Sequence, residues 1–224
     1  MYISPTMKQS VLLKGAPGLE LLHRISSLDV LGLGMGSKRK GLILNPAGKI
    51  LSCFEIEKQD ATSARIDFEP GFLEHLDHYT FAERYTLEPL APPTFSEEPL
   101  LDRILALRPE VGFEFLLNGE TNPLEVNLQS AISDQKGCYP GQEVIEKIIS
   151  LGSPAKKLAL IKALQESPPL TTPATVLSID RHEVGVLTSY ASGYGLAVLK
   201  RTHLKPGTAL QIEGHGFTVE KVSP

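Results

Sequence analysis

The chain of 224 residues has no tryptophan and only two cysteines, Cys53 and Cys138. Two cysteines cannot build a disulfide framework, so a reducing, cytoplasmic compartment is the expectation. They also cannot supply four thiolates, which excludes a self-contained iron–sulfur cluster. No apolar run is long enough to cross a bilayer, and the first residues, MYISPTMKQS, lack the apolar core of a signal peptide. No membrane association is therefore expected. Positive charge is not in excess either. The formal net charge of -4 leaves no broad basic face for phosphates, so direct nucleic-acid binding is not expected.

What is present is ordinary globular material, 42% hydrophobic and 21% charged. Met7 to Lys14 reads as a strand. Ala16 to Ile25 has helical spacing, with Leu19, Leu22 and Ile25 on one face and Pro17 near the start. Leu42–Leu44 and Ile50–Ile56 read as two strands joined by Asn45-Pro46-Ala47-Gly48. Those residues suit a type I turn in order: Asn first, Pro second, Gly fourth. Ala64–Phe68 and Arg84–Leu90 are further strands. Pro70–Tyr79 and Pro99–Leu107 are helices, and Ala91–Ser96 is a loop. From about Gly152 the segments become short and strand-like, separated by turn residues, as in a small β barrel or sandwich. The strands and helices do not alternate strictly, which predicts an α+β fold. The expected division is 1–151 for an α+β body and 152–224 for a β-barrel domain.

Two motifs invite a stronger reading than they support. Gly32-Leu33-Gly34-Met35-Gly36-Ser37-Lys38 has glycines at the wrong spacing, and Ser37 before Lys38, for a phosphate loop. It is read as a flexible connection. His75 and His78 lie three apart on a helix, but no second ligand cluster is evident, so no metal site is expected.

The informative segment is Lys136-Gly137-Cys138-Tyr139-Pro140-Gly141-Gln142-Glu143. Val144, Ile145, Ile148 and Ile149 then form a helical apolar stripe, and Gly152 is placed to end that helix. Glu143 would fall in the first turn, where a negative charge is favourable. Cys138 would precede the helix, two residues from Lys136, and both features favour a thiolate. The plain alternative is a tight turn with an inert, buried cysteine.

This segment resembles the K-G-C-Y-x-G-Q-E signature of the YgfZ-type family, in the glycine-cleavage T-protein superfamily. The resemblance continues through Pro123-Leu124-Glu125-Val126-Asn127-Leu128-Gln129, the Leu42–Ile50 hairpin, and Gly185-Val186-Leu187-Thr188-Ser189. It implies a T-protein-like folate-binding body with a C-terminal barrel, and tetrahydrofolate or a derivative as cofactor. It implies that Glu125 holds the pterin ring, whose adjacent N–H donors suit a carboxylate. Asn127 and Gln129 would line the same wall, and Lys136 would either meet the anionic folate tail or simply be solvated. Asn45, Gly137, Tyr139, Gly141, Gln142 and Glu143 are the remaining implied cofactor-binding positions. Cys138 falls on the cysteine that the family requires, here a candidate catalytic thiolate.

The family is linked to assembly or repair of iron–sulfur enzymes, including tRNA-modifying ones. The implied partners are therefore folate and iron–sulfur client or assembly proteins. Two alternatives stay open: a folate-dependent aminomethyl or one-carbon transferase, and a scaffold that has lost folate. The T-protein's catalytic aspartate has no matching counterpart, since Asp60 and Asp67 stand in different contexts. That argues against a classical aminomethyltransferase.

Overall fold

A computed structural model of the chain describes residues 8–93, 98–165 and 170–224. These residues form two compact units interleaved along the chain. The first lies within Met1–Thr94 and adds Leu117–Thr121 and Gln129–Glu146; the second lies within Phe95–Leu116, Asn122–Leu128 and Lys147–Pro224.

In the first unit, β1 (Gln9–Lys14), β2 (Lys38–Leu44), β3 (Ile50–Lys58), β4 (Ser63–Phe68) and β5 (Thr86–Leu90) form one antiparallel sheet in the order β2-β3-β4-β1-β5. The first strand begins at Gln9; Met7 lies outside the described residues, as does the expected loop from Thr94 to Ser96. The helices α1 (Ala16–Ile25) and α2 (Phe72–Tyr79) bury their apolar sides against the sheet. Leu19, Leu22 and Ile25 of α1 enter this core, as their spacing demands. Phe72 of α2 packs between Phe54 and Phe68, with ring centroids 5.2 and 4.8 Å away. All three rings are at most 1% exposed, and each contributes about 1.5–3 kcal/mol by burial.

Several boundaries differ from expectation, among them β3, which runs on to Lys58, β5, which starts at Thr86, and α3, which spans Leu100–Leu105; two of the shifts have a clear physical reason. Strand β2 starts at Lys38 rather than Leu42, because its polar end pairs with β3 and Lys38 meets Glu55 at 3.0 Å. Helix α2 starts at Phe72 rather than Pro70, because Gly71 takes a left-handed conformation ahead of it.

In the second unit, β6 (Lys156–Ala163), β7 (Ala174–Ser178), β8 (Glu183–Ala191), β9 (Tyr194–Lys200), β10 (Ala209–Ile212) and β11 (His215–Val222) close into a barrel in the order β10-β11-β6-β9-β8-β7. These six short strands fill the stretch after Gly152 that was expected to be strand-like. The run Leu158–Ile161 is apolar without alternation because both of its faces are covered. Ala159 and Ile161 join the barrel core, whereas Leu158 and Leu160 pack with Ile104 of the short helix α3 (Leu100–Leu105) and with Leu107. Helix α4 (Gln142–Ser150) ends at Gly152, whose N–H donates to the Ile149 carbonyl at 2.9 Å. Among the described residues no helix is long and apolar enough to cross a membrane.

Candidate functional site around the Lys136–Glu143 loop

The β2–β3 turn is organised by Asn45. Its Oδ1 accepts from the Ala47 and Lys49 amides, both at 3.0 Å, and its Nδ2 donates to the Gly119 carbonyl at 3.3 Å. One end of this side chain thus closes the turn and the other ties it to Gly119. Onto that turn sits Gly141, with φ +81°. A Cβ at this position would lie 2.5 Å from the Asn45 carbonyl oxygen and 2.9 Å from the Gly48 Cα. Only glycine permits that approach and that backbone angle. The asparagine turn and the second glycine of the signature, read separately in sequence, form one contact.

The other signature residues are largely committed inward. Lys136 is buried, and its Nζ donates to the carbonyls of His23 and Ser26 at the C-terminal end of α1. A cation there complements the helix dipole and the unpaired carbonyls. The same ammonium lies 5.0 Å from the centre of the Tyr139 ring. Tyr139 is itself buried, and burial pushes its hydroxyl up to about 12. The Gln142 side chain accepts from the Tyr139 amide at 3.3 Å and donates to Glu146 at 2.6 Å. Glu143 is exposed in the first turn of α4, and Gln129 is half-buried at the start of a 3-10 turn. Gly137 and Cys138 are exposed; a Cβ at Gly137 would meet nothing within 4 Å. The thiol expected to be inert under the plain reading is therefore accessible, while Cys53 is buried.

Burial pushes the Lys136 ammonium down to about 8, with the Asp29 carboxylate pulling the other way. The folded chain then releases this proton at lower pH than the unfolded chain. Between about pH 8 and the ordinary lysine value of 10.5, the unfolded state binds more protons, so stability rises with pH there. The expected result is that the native protein gains stability across that window relative to Lys136→Met. Parallel urea titrations at pH 7.5 and 10 measure it; identical pH slopes for the two proteins would refute it.

Glu125 and Asn127 belong to the second unit. Asn122-Pro123-Leu124-Glu125 is a capping box: the Asn122 side chain accepts from the Leu124 amide at 3.0 Å, and Glu125 Oε2 accepts from the Asn122 amide at 3.3 Å. The box holds a half-buried carboxylate in a set direction. Asn127 has φ +61°, and its Nδ2 donates to the Leu107 carbonyl at 2.7 Å, which orients its amide.

The two aspartates weighed as general bases have other employment. Asp60 accepts from the Thr62 amide and from the hydroxyls of Thr62 and Ser63, and these bonds hold its carboxyl down at about 2. Asp67 accepts from Ser10 at 2.6 Å and pairs with Arg65 at 2.9 Å. His75 and His78 lie on α2, and among the described residues no cluster of three metal-ligating side chains forms.

One cluster was not legible in the sequence. Arg103 of α3 donates to Glu114 at 2.6 Å and to the Ser189 hydroxyl at 2.5 Å. Glu114 also accepts from Thr188 at 2.9 Å and from Ser189 at 2.6 Å. The Thr188-Ser189 pair in the Gly185–Ser189 motif was a signal, but its partners lie more than 70 positions away in the chain.

Comparison with known proteins supports this architecture. Structurally, the chain is similar to the glycine cleavage system aminomethyltransferase T of Bartonella henselae, with a TM-score of 0.78 over 96% of this chain and 83% of that one, at 13% identity. The fold is that of a T-protein. Residues 156–223 match the family of CAF17 C-terminal beta-barrel domains. A chloroplastic protein of Arabidopsis thaliana that carries a transferase name is 32% identical over 102 residues, 43% of this chain. The match spans 23% of that relative's length.

Proposed function

We propose that this T-protein-fold chain is a tetrahydrofolate-binding accessory protein of the YgfZ type. In this reading it supports assembly or repair of iron–sulfur enzymes, tRNA-modifying ones among them, in a reducing compartment such as the cytoplasm. The observation that carries the reading is the division of labour within the signature. Lys136, Tyr139, Gly141 and Gln142 are occupied in holding the loop, and they leave Gly137 and Cys138 at the surface. An accessible thiol held on a braced loop suits transient contact with a client protein.

The residues present fit a folate. Glu125 is a half-buried carboxylate, a group of two acceptor oxygens, oriented by the Asn122 capping box. It would accept from the adjacent N–H groups of a pterin edge, beside the oriented amide of Asn127. Bound folate would bring a one-carbon carrier; the chain's own part is to hold and orient the ring. The occupied Asp60 and Asp67 weigh against transfer chemistry, which needs a general base.

Calorimetry with tetrahydrofolate tests the reading. Saturable binding is expected, weakened at least ten-fold in Glu125→Gln, a change that removes the charge and keeps the shape. In cells, Cys138→Ala should lower the activity of client iron–sulfur enzymes at unchanged protein level. No binding by the native protein would sink the folate half. Full client activity with Cys138→Ala would sink the thiol half.

A further inference from the structure

The Gly32–Lys38 segment, set aside as a connection, lines a pocket of about 310 Å³ in the first unit. That volume is at the small end of ligand clefts, which run from ~300 to 1,000 Å³. One wall is aliphatic, from Leu28, Leu33 and Ile132. The rest is polar: Asp29, Arg39, Ser37, Ser130 and Ser133.

The hydrogen-bonding capacity of these groups is unevenly spent. Among the described residues, Arg39 donates only to the carbonyl of its neighbour Lys38, at 3.2 Å, and has no acidic partner. No side-chain bond from Ser37 or Ser130 forms within the described chain. Ser133 Oγ accepts from the Gln135 amide and keeps its own proton to donate. Asp29 is positioned rather than neutralised: Oδ1 accepts from the Gly32 amide at 3.0 Å and faces His23 Nδ1 at 3.3 Å. Burial and the neighbouring Lys136 push that imidazole below its usual range, so the charge that Asp29 feels from the chain is that of the Lys136 ammonium, which is itself bonded to the His23 and Ser26 carbonyls. A Cβ on Gly32 would lie 2.2 Å from the Asp29 carboxylate, so a side chain there would displace that carboxylate from its present place.

The pocket thus offers one guanidinium with hydroxyl donors, one carboxylate, and a short apolar wall. A lone anion would meet Asp29, and a lone cation would meet Arg39. We propose that this pocket binds a small zwitterion of the α-amino-acid class. Its carboxylate lies on Arg39 and the serine hydroxyls, its ammonium on Asp29, and its short side chain against Leu28, Leu33 and Ile132. The site is independent of the folate reading, which rests on Glu125.

The test is a titration of the ¹⁵N-labelled full chain with L-serine, followed by NMR at the amides of Gly32, Gly34 and Ser37. Saturating shifts are expected. Acetate and methylammonium, each carrying one of the two charges, should bind at least ten-fold more weakly. Arg39→Gln and Asp29→Asn should each weaken L-serine about ten-fold or more. Ser130→Ala, which leaves the Asp29–Gly32 turn intact, should weaken it several-fold. No saturable shift at these amides would overturn the proposal. So would tighter binding of acetate or inorganic phosphate than of L-serine, or binding that Arg39→Gln and Ser130→Ala leave unchanged. Displacement of L-serine by tetrahydrofolate would also overturn it and assign the pocket to folate.

Discussion

Glu114→Ala is expected to destabilise the second unit by about 3–5 kcal/mol, the usual result of stripping one partner from a buried ion pair. The Glu114 side chain is 0% exposed and that of Arg103 8%. Removing the carboxylate leaves the buried guanidinium only the longer contact to Glu110 at 3.4 Å, the Arg108 carbonyl and Ser189, and it takes from the Thr188 and Ser189 hydroxyls the acceptor they share. It also releases the Glu110 amide, bonded to Glu114 at 2.9 Å. The attraction within the pair is offset by the cost of desolvating both charges, so their joint replacement should be far milder than the single one. Arg103→Met with Glu114→Leu is therefore expected to recover most of the loss. Hydrogen exchange at the amides of Ser189 and Leu196 reads this unit separately, since two units need not unfold together. A single-mutant loss below about 1 kcal/mol would show that water reaches the pair and that it does not anchor α3 to the barrel.

Gly141→Ala is the second large effect, expected to cost about 3 kcal/mol or more. The left-handed backbone angle costs a non-glycine residue about 1–2 kcal/mol. Relieving a Cβ held 2.5 Å from a carbonyl oxygen of the Asn45 turn adds about 1–3 kcal/mol. The neighbour cannot yield cheaply, because it is backbone locked by the Asn45 side chain. Gly137→Ala is the matched control. Nothing lies within 4 Å of its Cβ position, so a change within about 0.5 kcal/mol is expected. Thermal melting of both variants, with exchange at the Gly48 amide, measures the contrast. Equal losses would mean that the loop and turn do not brace each other. If Gly137→Ala leaves folding intact and lowers client activity, the glycine is kept for what approaches from outside.

Much of the fold was legible because local chemistry dictated it. The 3.6-residue spacing of Leu19, Leu22 and Ile25 specified α1, the Asn-Pro-Ala-Gly order specified the hairpin turn, and turn residues cut the last third into six strands. Charged strand ends such as Lys38–Lys40 escaped, because their partners lie on another strand. The signature singled out Lys136 to Glu143 as a unit without saying what each residue does. The resemblance offered Lys136 either a ligand's anionic tail or solvent, and only the folded chain shows its ammonium on the His23 and Ser26 carbonyls, more than 100 positions away.

By itself, then, the sequence determined the element types, the run of short strands in the last third and the shortage of thiols, while the family resemblance pointed to the barrel and to the Lys136–Glu143 segment. The first three follow from composition, periodicity and short-range turn preference. Only the tertiary structure decided which signature side chains are spent on bracing, that Cys138 is exposed, that Arg103 finds Glu114, and that a dismissed glycine loop lines a polar pocket. Each of those depends on which distant groups share one low-dielectric or close-packed neighbourhood, a matter that chain order does not encode.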